Sequence, residues 1–130
     1  MANEINIQAC LKVQRHSPGQ VWSGNLTVNQ TGTKCISNVI NVGTGANATL
    51  QIDGAASLGY VLVKNLDTTA WSQSNYVHVA LDNGSPPVNI ISKLRAGEFC
   101  LISPKDSTTV LYARAFGAGA VDVLLCAAQT

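Results

Sequence analysis

The chain has 130 residues and a formal net charge of +1, and only 12% of its residues are charged. This length suits a domain with its own core, the apolar fraction of 46% is ordinary for a globular protein, and the positive mean hydropathy argues against a disordered chain. The eight Lys and Arg residues are scattered along the sequence, which argues against a nucleic acid partner, since neutralising phosphates takes clustered cations.

Uncharged polar residues take the place of the missing charges, with 11 Asn, 10 Ser and 10 Thr. These residue types favour turns and strands over helix interiors. A surface with so little net charge does not repel copies of itself. The composition therefore fits dense packing of identical subunits, and it fits an ordinary neutral domain equally well.

The beginning of the chain has no basic segment followed by an apolar run, so we expect no signal peptide and folding in a cytoplasm. No stretch approaches the 18 or so apolar residues of a membrane span, so we expect no membrane partner. Residues 1–4 are a candidate for a flexible N-terminal arm.

Short β-rich runs separated by Gly, Pro, Asn, Asp and Ser recur along the chain, and no helical period persists. Such spacing is typical of a sandwich or barrel. The predicted strands cover residues 4–13, 20–29, 33–42, 47–52, 59–66, 75–82, 98–103, 108–115 and 120–127.

Alternation assigns faces to several of these strands. In 20–29, Trp22 shares an apolar face with Leu26 and is predicted to point into the core. In 75–82, Val77, Val79 and Leu81 face one way, while Tyr76, His78 and Ala80 face the other. Strand 120–127 is apolar on both sides, so both faces are expected to be at least partly covered.

Turn residues predict how the strands connect. Residues 95–98 place Gly97 just before an apolar strand, as a tight turn requires. Pro86 and Pro87 exclude a central strand at their position because they lack ladder donors. Residues 117–119, Gly-Ala-Gly, predict a hairpin connection between the last two strands.

The fold class predicted from these elements is all-β. It is a two-sheet antiparallel sandwich, jelly-roll-like, that forms a single domain over residues 1–130. An immunoglobulin-like sandwich is the second option, although the spacing of Cys and Trp does not support it well.

Groups able to carry catalysis are few: two His, two Glu and five Asp. His16 lies in a polar turn, and His78 lies on the Tyr76 face of its strand. Asp67 and His78 could orient a nucleophile, but no nucleophile elbow or zinc motif is present. We therefore expect no enzyme activity, no catalytic residue, no metal and no cofactor.

The four cysteines are Cys10, Cys35, Cys100 and Cys126, and no two have the spacing of a metal or redox pair. In a cytoplasmic chain they are expected to be buried free thiols. Two disulfides are the alternative if the chain is exported.

One aromatic residue stands in a polar stretch between two strands. Trp71 is followed by Gln73 and Asn75, and a large aromatic side chain in a loop can anchor a partner. It can equally fold back as a lid over the end of the sandwich. Trp71, Gln73 and Asn75 are therefore the candidate partner-binding residues.

Six segments together resemble small virion proteins of tailed bacteriophages that decorate or cement the capsid. They are CISNVINVG at 35–43, GYVLVKNLD at 59–67, YVHVALD at 76–82, KLRAGEF at 93–99, YARA at 112–115 and AVDVLL at 120–125.

This resemblance implies a jelly-roll-like subunit on the outer capsid surface of a virion, made in the host cytoplasm. Its implied partners are a major capsid protein and other copies of itself, as a dimer or trimer. A receptor- or carbohydrate-binding module of a tail fibre or lectin is the alternative. A cupin-type enzyme would need a cluster of histidines that the sequence lacks.

Overall fold

A computed structural model describes the chain at residues 5–13, 20–28, 35–50, 59–69, 74–81, 84, 87, 89–103, 110–117 and 119–128. The described residues form strands and turns and no helix, which confirms the predicted all-β class. The chain divides into two compact units, residues 1–31 and 32–130, which are described in turn. The assignment of residues 1–130 to one domain stays a prediction, and residues 1–4 lie outside the described part.

The first unit contains an antiparallel hairpin of β1 (Ile5–Val13) and β2 (Gln20–Val28). Nine residue pairs run in unbroken register from Ile5 opposite Val28 to Val13 opposite Gln20. Both strands lie within a residue of their predicted bounds. The Cys10 side chain is exposed, so the expectation that it is buried is wrong: it stands on a two-stranded ribbon with little interior. The side chain of Trp22 lies outside the described part, and its place in the core stays a prediction.

The described residues of the second unit form eight strands. They are β3 (Cys35–Val42), β4 (Ala48–Thr49), β5 (Tyr60–Asn65), β6 (Tyr76–Ala80), β7 (Ile90–Arg95), β8 (Phe99–Ile102), β9 (Tyr112–Phe116) and β10 (Val121–Ala128).

These strands form two antiparallel sheets of four. The first sheet has the order β3-β10-β5-β8, and the second has the order β4-β9-β6-β7. The pairing is nested along the chain: β3 pairs with β10, β4 with β9, β5 with β8, and β6 with β7. Two further pairings, β10 with β5 and β9 with β6, complete the sheets.

Alternate residues of both sheets meet in one core, which makes this unit the predicted two-sheet sandwich. Each inward-facing residue is followed by an outward-facing one, as the pleat of a strand requires. Burying a Val or Leu side chain contributes about 1.5–3 kcal/mol relative to leaving it exposed, so these inner faces are the main source of stability of the unit. The core consists of Val42, Leu50, Val61, Val63, Val77, Val79, Leu94, Leu111, Ala113, Ala115, Val123, Leu125 and Ala127.

Three details differ from the sequence-based expectations. Strand β7 was not predicted; it begins at Ile90, beyond the two prolines, and forms an edge of the second sheet. The expected hairpin of the last two strands is wrong, because β9 and β10 belong to different sheets. A register shift between Val79 and Ala80 ends the alternation, so Ala80 is buried and Leu81 is exposed.

The turn between β7 and β8 is fastened to the end of β5 by a buried asparagine. Gly97 has a φ of 78° and Glu98 N donates to Arg95 O at 2.9 Å, which confirms the predicted tight turn. Asn65, only 1% exposed, donates from Nδ2 to Leu94 O at 3.0 Å and accepts from Asp67 N at 2.9 Å. Its side chain therefore links the two sheets at this end of the sandwich.

Candidate functional site

The outer side of the first sheet is an apolar surface. Its side chains alternate with the buried ones, so they point away from the core. Phe99 is 66% exposed, Val39 60% and Leu101 46%. We call this surface the apolar face. Its apolar side chains in the described part are Val39, Tyr60, Leu62, Phe99, Leu101, Leu124, Cys126 and Ala128.

Strand register places these side chains in rows across all four strands. One row runs from Val39 through Leu124 and Lys64 to Phe99. The next runs from Ser37 through Cys126 and Leu62 to Leu101. An antiparallel sheet that faces water normally carries polar residues on its outer side. A largely apolar outer surface is instead typical of an interaction site.

Few charges interrupt the apolar face. Lys64 lies in the row between Leu124 and Phe99. Asp122 lies at one end, where Asn41 Nδ2 donates to its Oδ1 at 2.9 Å. The face therefore carries one charge of each sign among its described residues.

The outer side of the second sheet has a different chemistry, with three aromatic rings in mutual contact. Tyr76 and His78 point outward from β6, and Phe116 stands opposite Tyr76 on β9. The ring centroids of Tyr76 and Phe116 are 5.2 Å apart, and His78 lies 4.8 Å from each of them. The rings form one cluster at distances typical of aromatic packing.

Two cations lie against these rings. Lys93 Nζ is 4.0 Å from the centroid of the Tyr76 ring, and Arg114 Cζ is 5.6 Å from that of Phe116, both within the range of cation–π attraction. Arg114 Nε also donates to the carbonyl of Thr44 at 3.0 Å. We call this surface the aromatic–cationic face. It consists of Tyr76, His78, Lys93, Arg114 and Phe116.

Folding thus gathers cations that are far apart in the sequence. Lys93 and Arg114 stand on either side of His78 in the strand register, and Arg95 stands opposite Tyr76. Within the described part, Glu98 is the acid closest to this face along the chain, and its Oε2 lies 3.6 Å from Arg95 Nη1. Among its own five residues the face carries the positive charges of Lys93 and Arg114 and no negative charge, while Asp67 and Asp122 line the cleft next to Phe116.

His78 belongs to this face as an uncharged ring. Burial lowers the pKa of His78 below its usual value, and the neighbouring Lys93 ammonium lowers it further. Its Nδ1 is buried and has no hydrogen-bond partner within the described residues. A charged imidazole is disfavoured in such surroundings, so His78 is neutral at physiological pH.

The lowered pKa of His78 predicts a pH dependence of stability. The unfolded chain takes up a proton at this residue at a higher pH than the folded chain, so the free energy of unfolding falls as the pH drops below about 6.5. Between about pH 7.5 and pH 5, a His78→Phe variant should lose less stability than the original chain. Urea unfolding at a series of pH values measures the free energy of unfolding of the original chain and of the variant. Parallel pH profiles for the two proteins would contradict the prediction, since His16 and every carboxyl group are common to both.

A cleft of about 420 Å³ opens at one end of the sandwich. Asn75 is part of its lining, together with Asp67, Phe116 and Asp122. Trp71 and Gln73 lie outside the described residues, so the choice between anchor and lid stays open.

Asp67 is held in place at this cleft. Thr69 N donates to Asp67 Oδ1 at 3.0 Å, and Thr69 Oγ1 donates to Oδ2 at 2.9 Å. The two acceptor oxygens are thereby oriented, and no hydrogen bond joins Asp67 to His78. The hypothetical acid–histidine pair is thus not assembled.

The described residues contain no group of three or more His, Cys, Asp or Glu side chains placed to hold a metal ion. Cys100 and Cys126 are half-buried free thiols, and burial raises the pKa of Cys100, which disfavours its reactive thiolate. His16 lies outside the described part. Nor does that part contain a helix with the length and hydrophobicity to cross a bilayer.

Sequence reasoning missed most of the two faces. It placed Tyr76 and His78 on one side of a strand but gave Phe116, Lys93 and Phe99 no role. The signal was present in the alternation of β8 and β9, whose outward residues are large while the inward ones of β9 are alanines.

The chain matches no protein-family model, no curated protein and no solved structure.

Proposed function

We propose that this chain is a structural virion protein, a capsid cement or decoration protein that binds the outside of a tailed-phage head and stabilises the shell of major capsid protein. The apolar face is the observation that carries the proposal. It offers a broad surface for another subunit, and its three most exposed large side chains lie on the two edge strands. The resemblance of the six sequence segments points in the same direction.

The proposal includes a jelly-roll topology for the sandwich. A jelly roll is a long antiparallel hairpin of eight strands rolled into two sheets. The nested pairing of β3 with β10, β4 with β9, β5 with β8 and β6 with β7 supports this topology. Domains of this kind occur in viral capsids and in lectins, so the topology alone does not choose between those functions.

A second copy of the chain is the proposed occupant of the apolar face. In a twofold dimer both subunits use the same patch for the interface. A contact from a residue of one subunit to a residue of the other therefore occurs a second time with the two subunits exchanged. Lys64 and Asp122 are both on this face, so a twofold arrangement can pair each Lys64 with the Asp122 of the other copy. The net charge of +1 adds almost no repulsion between copies.

Cementing then follows from mass action. A protein that binds the assembled shell and not its separate subunits stabilises the shell by an amount set by its affinity and concentration. A dimer reaches two neighbouring sites at once, so each contact can be weak while the whole remains bound. This mechanism needs no reaction and no cofactor.

Co-sedimentation with phage shells tests the proposal. Purified protein is added to shells that lack it, and the shells are pelleted and then heated in a calorimeter. The chain should pellet in a fixed ratio to the major capsid protein and raise the temperature at which the shell disassembles. Protein that stays in the supernatant, or that pellets without changing this temperature, would contradict a cement function.

A carbohydrate-binding module is the second candidate, and the cleft favours it. Asp67, Asn75 and Asp122 supply acceptors and an amide beside the ring of Phe116, which is the kind of polar and aromatic lining that orients a small ligand. Binding of the purified chain to a glycan array in the absence of any shell would support this candidate over the first.

A further inference from the structure

We propose that the aromatic–cationic face docks on a carboxylate-rich surface of a partner protein. The inference rests on the proposed function and deepens it, because it names the face that meets the shell and the chemistry of that contact. Under this assignment the apolar face joins two copies of the chain, and the opposite side of the sandwich binds the shell.

The first argument is the fixed placement of the cations. Lys93 and Arg114 stand opposite His78 from the two flanking strands. The Tyr76 and Phe116 rings lie beneath their charges at 4.0 and 5.6 Å, and Thr44 O holds Arg114 Nε. A cation held in position loses less side-chain entropy when it meets an anion than a free one does. The face is therefore preorganised for negative groups.

The second argument is charge complementarity. The cations Lys93, Arg95 and Arg114 lie on the strands that flank β6. Glu98 in the adjoining turn pairs with Arg95, and Asp67 and Asp122 line the cleft beside Phe116. The positive charge of the face is thus concentrated on Lys93 and Arg114, on either side of His78. His78 between them is neutral at physiological pH, so the face combines discrete positive points with an apolar aromatic floor. Complementary potentials steer partners together and fix their orientation, and Asp and Glu carboxylates are the negative groups that a protein surface supplies.

The ring geometry argues against single-stranded nucleic acid. Nucleic acid platforms need open ring faces on which bases stack. Here the Lys93 ammonium lies over the Tyr76 ring, and Tyr76 and Phe116 stack on each other with an interplanar angle of 20°.

A short fluorescein-labelled oligoglutamate peptide tests the inference by fluorescence anisotropy at low and high salt. The original chain is compared with a Lys93→Gln/Arg114→Gln variant and with a control, Lys12→Glu, that lowers the net charge by the same amount elsewhere. Lys12 lies on β1 and is exposed. The test variant should lose about tenfold in affinity or more, the control less than about twofold, and salt should weaken binding of the original chain.

Two outcomes would overturn the inference. Equal losses in the two variants would mean that the peptide senses only net charge. Tighter binding of an oligothymidylate of the same charge, lost in the Lys93→Gln/Arg114→Gln variant, would assign the face to nucleic acid.

Shell binding separates this inference from the proposed function. If the Lys93→Gln/Arg114→Gln variant pellets with shells as well as the original chain does, the chosen face is wrong while the cement function stands. If the original chain binds the peptide through this face but binds no shell, the cement function fails while the acidic-surface chemistry stands.

Discussion

Replacing Asn65 by alanine is expected to lower the free energy of unfolding by about 2–4 kcal/mol, because each buried polar group left without a partner costs about 1–3 kcal/mol. The side chain is 1% exposed, and its amide joins Leu94 O in the second sheet to Asp67 N beyond β5. Alanine removes both bonds and leaves a small cavity. Urea unfolding followed by circular dichroism should show a lower midpoint with an unchanged slope.

Asn41→Ala is the matched control for this prediction. The Asn41 side chain is exposed, and within the described residues it makes one hydrogen bond, to Asp122, so its loss should change stability by less than about 0.5 kcal/mol. If the two variants unfold at the same urea concentration, the bridge between the sheets contributes nothing beyond the loss of a surface amide.

The sandwich was predictable from the sequence because its central strands alternate cleanly. In β5, Val61 and Val63 alternate with Leu62 and Lys64, and the first two are fully buried. Such a pattern arises because successive side chains of a strand point to opposite faces, here one toward the core and one toward water. Gly97 likewise marked a turn through local backbone geometry alone.

Strand β7 was not predictable by the same means. Its residues read Ile-Ile-Ser-Lys-Leu-Arg, so two apolar residues are adjacent and no period of two is visible. It is an edge strand beside the register shift at Val79 and Ala80, where a bulge changes which residues face the core. Local patterns do not specify such a shift, because it arises from pairing with another strand.

The candidate surfaces depended on pairings between strands that are distant in sequence. Tyr76 meets Phe116 because β6 pairs with β9, and the sequence instead suggested that β9 would form a hairpin with β10. The sequence showed apolar residues on both sides of β10. Val39 and Phe99 join Leu124 in one row, however, only through the strand order of the first sheet. Sequence periodicity assigns a face to each strand, whereas topology decides which faces combine.

A Phe99→Thr/Leu101→Thr variant is expected to weaken self-association of the chain by roughly 30-fold or more. Burying the exposed parts of these side chains at a dimer interface contributes about 1–2 kcal/mol each, and 1.4 kcal/mol corresponds to a tenfold change. Phe99 and Leu101 are 66% and 46% exposed in the single chain, so a large part of each side chain is available to a second copy. Analytical ultracentrifugation over a range of concentrations gives the two dissociation constants.

The melting temperature decides whether such a loss belongs to the interface. Both side chains point away from the core, and threonine keeps the strand preference of β8, so the melting temperature at low concentration should stay nearly unchanged. Leu81→Thr/Ile91→Thr is the control, because these residues are similarly exposed and lie outside the apolar face; its self-association should match that of the original chain. A Phe99→Thr/Leu101→Thr protein that still dimerises normally would show that the apolar face is not the interface between copies. A variant that melts several degrees lower as a monomer would show that these side chains serve folding, because a pure interface loses affinity without losing the fold.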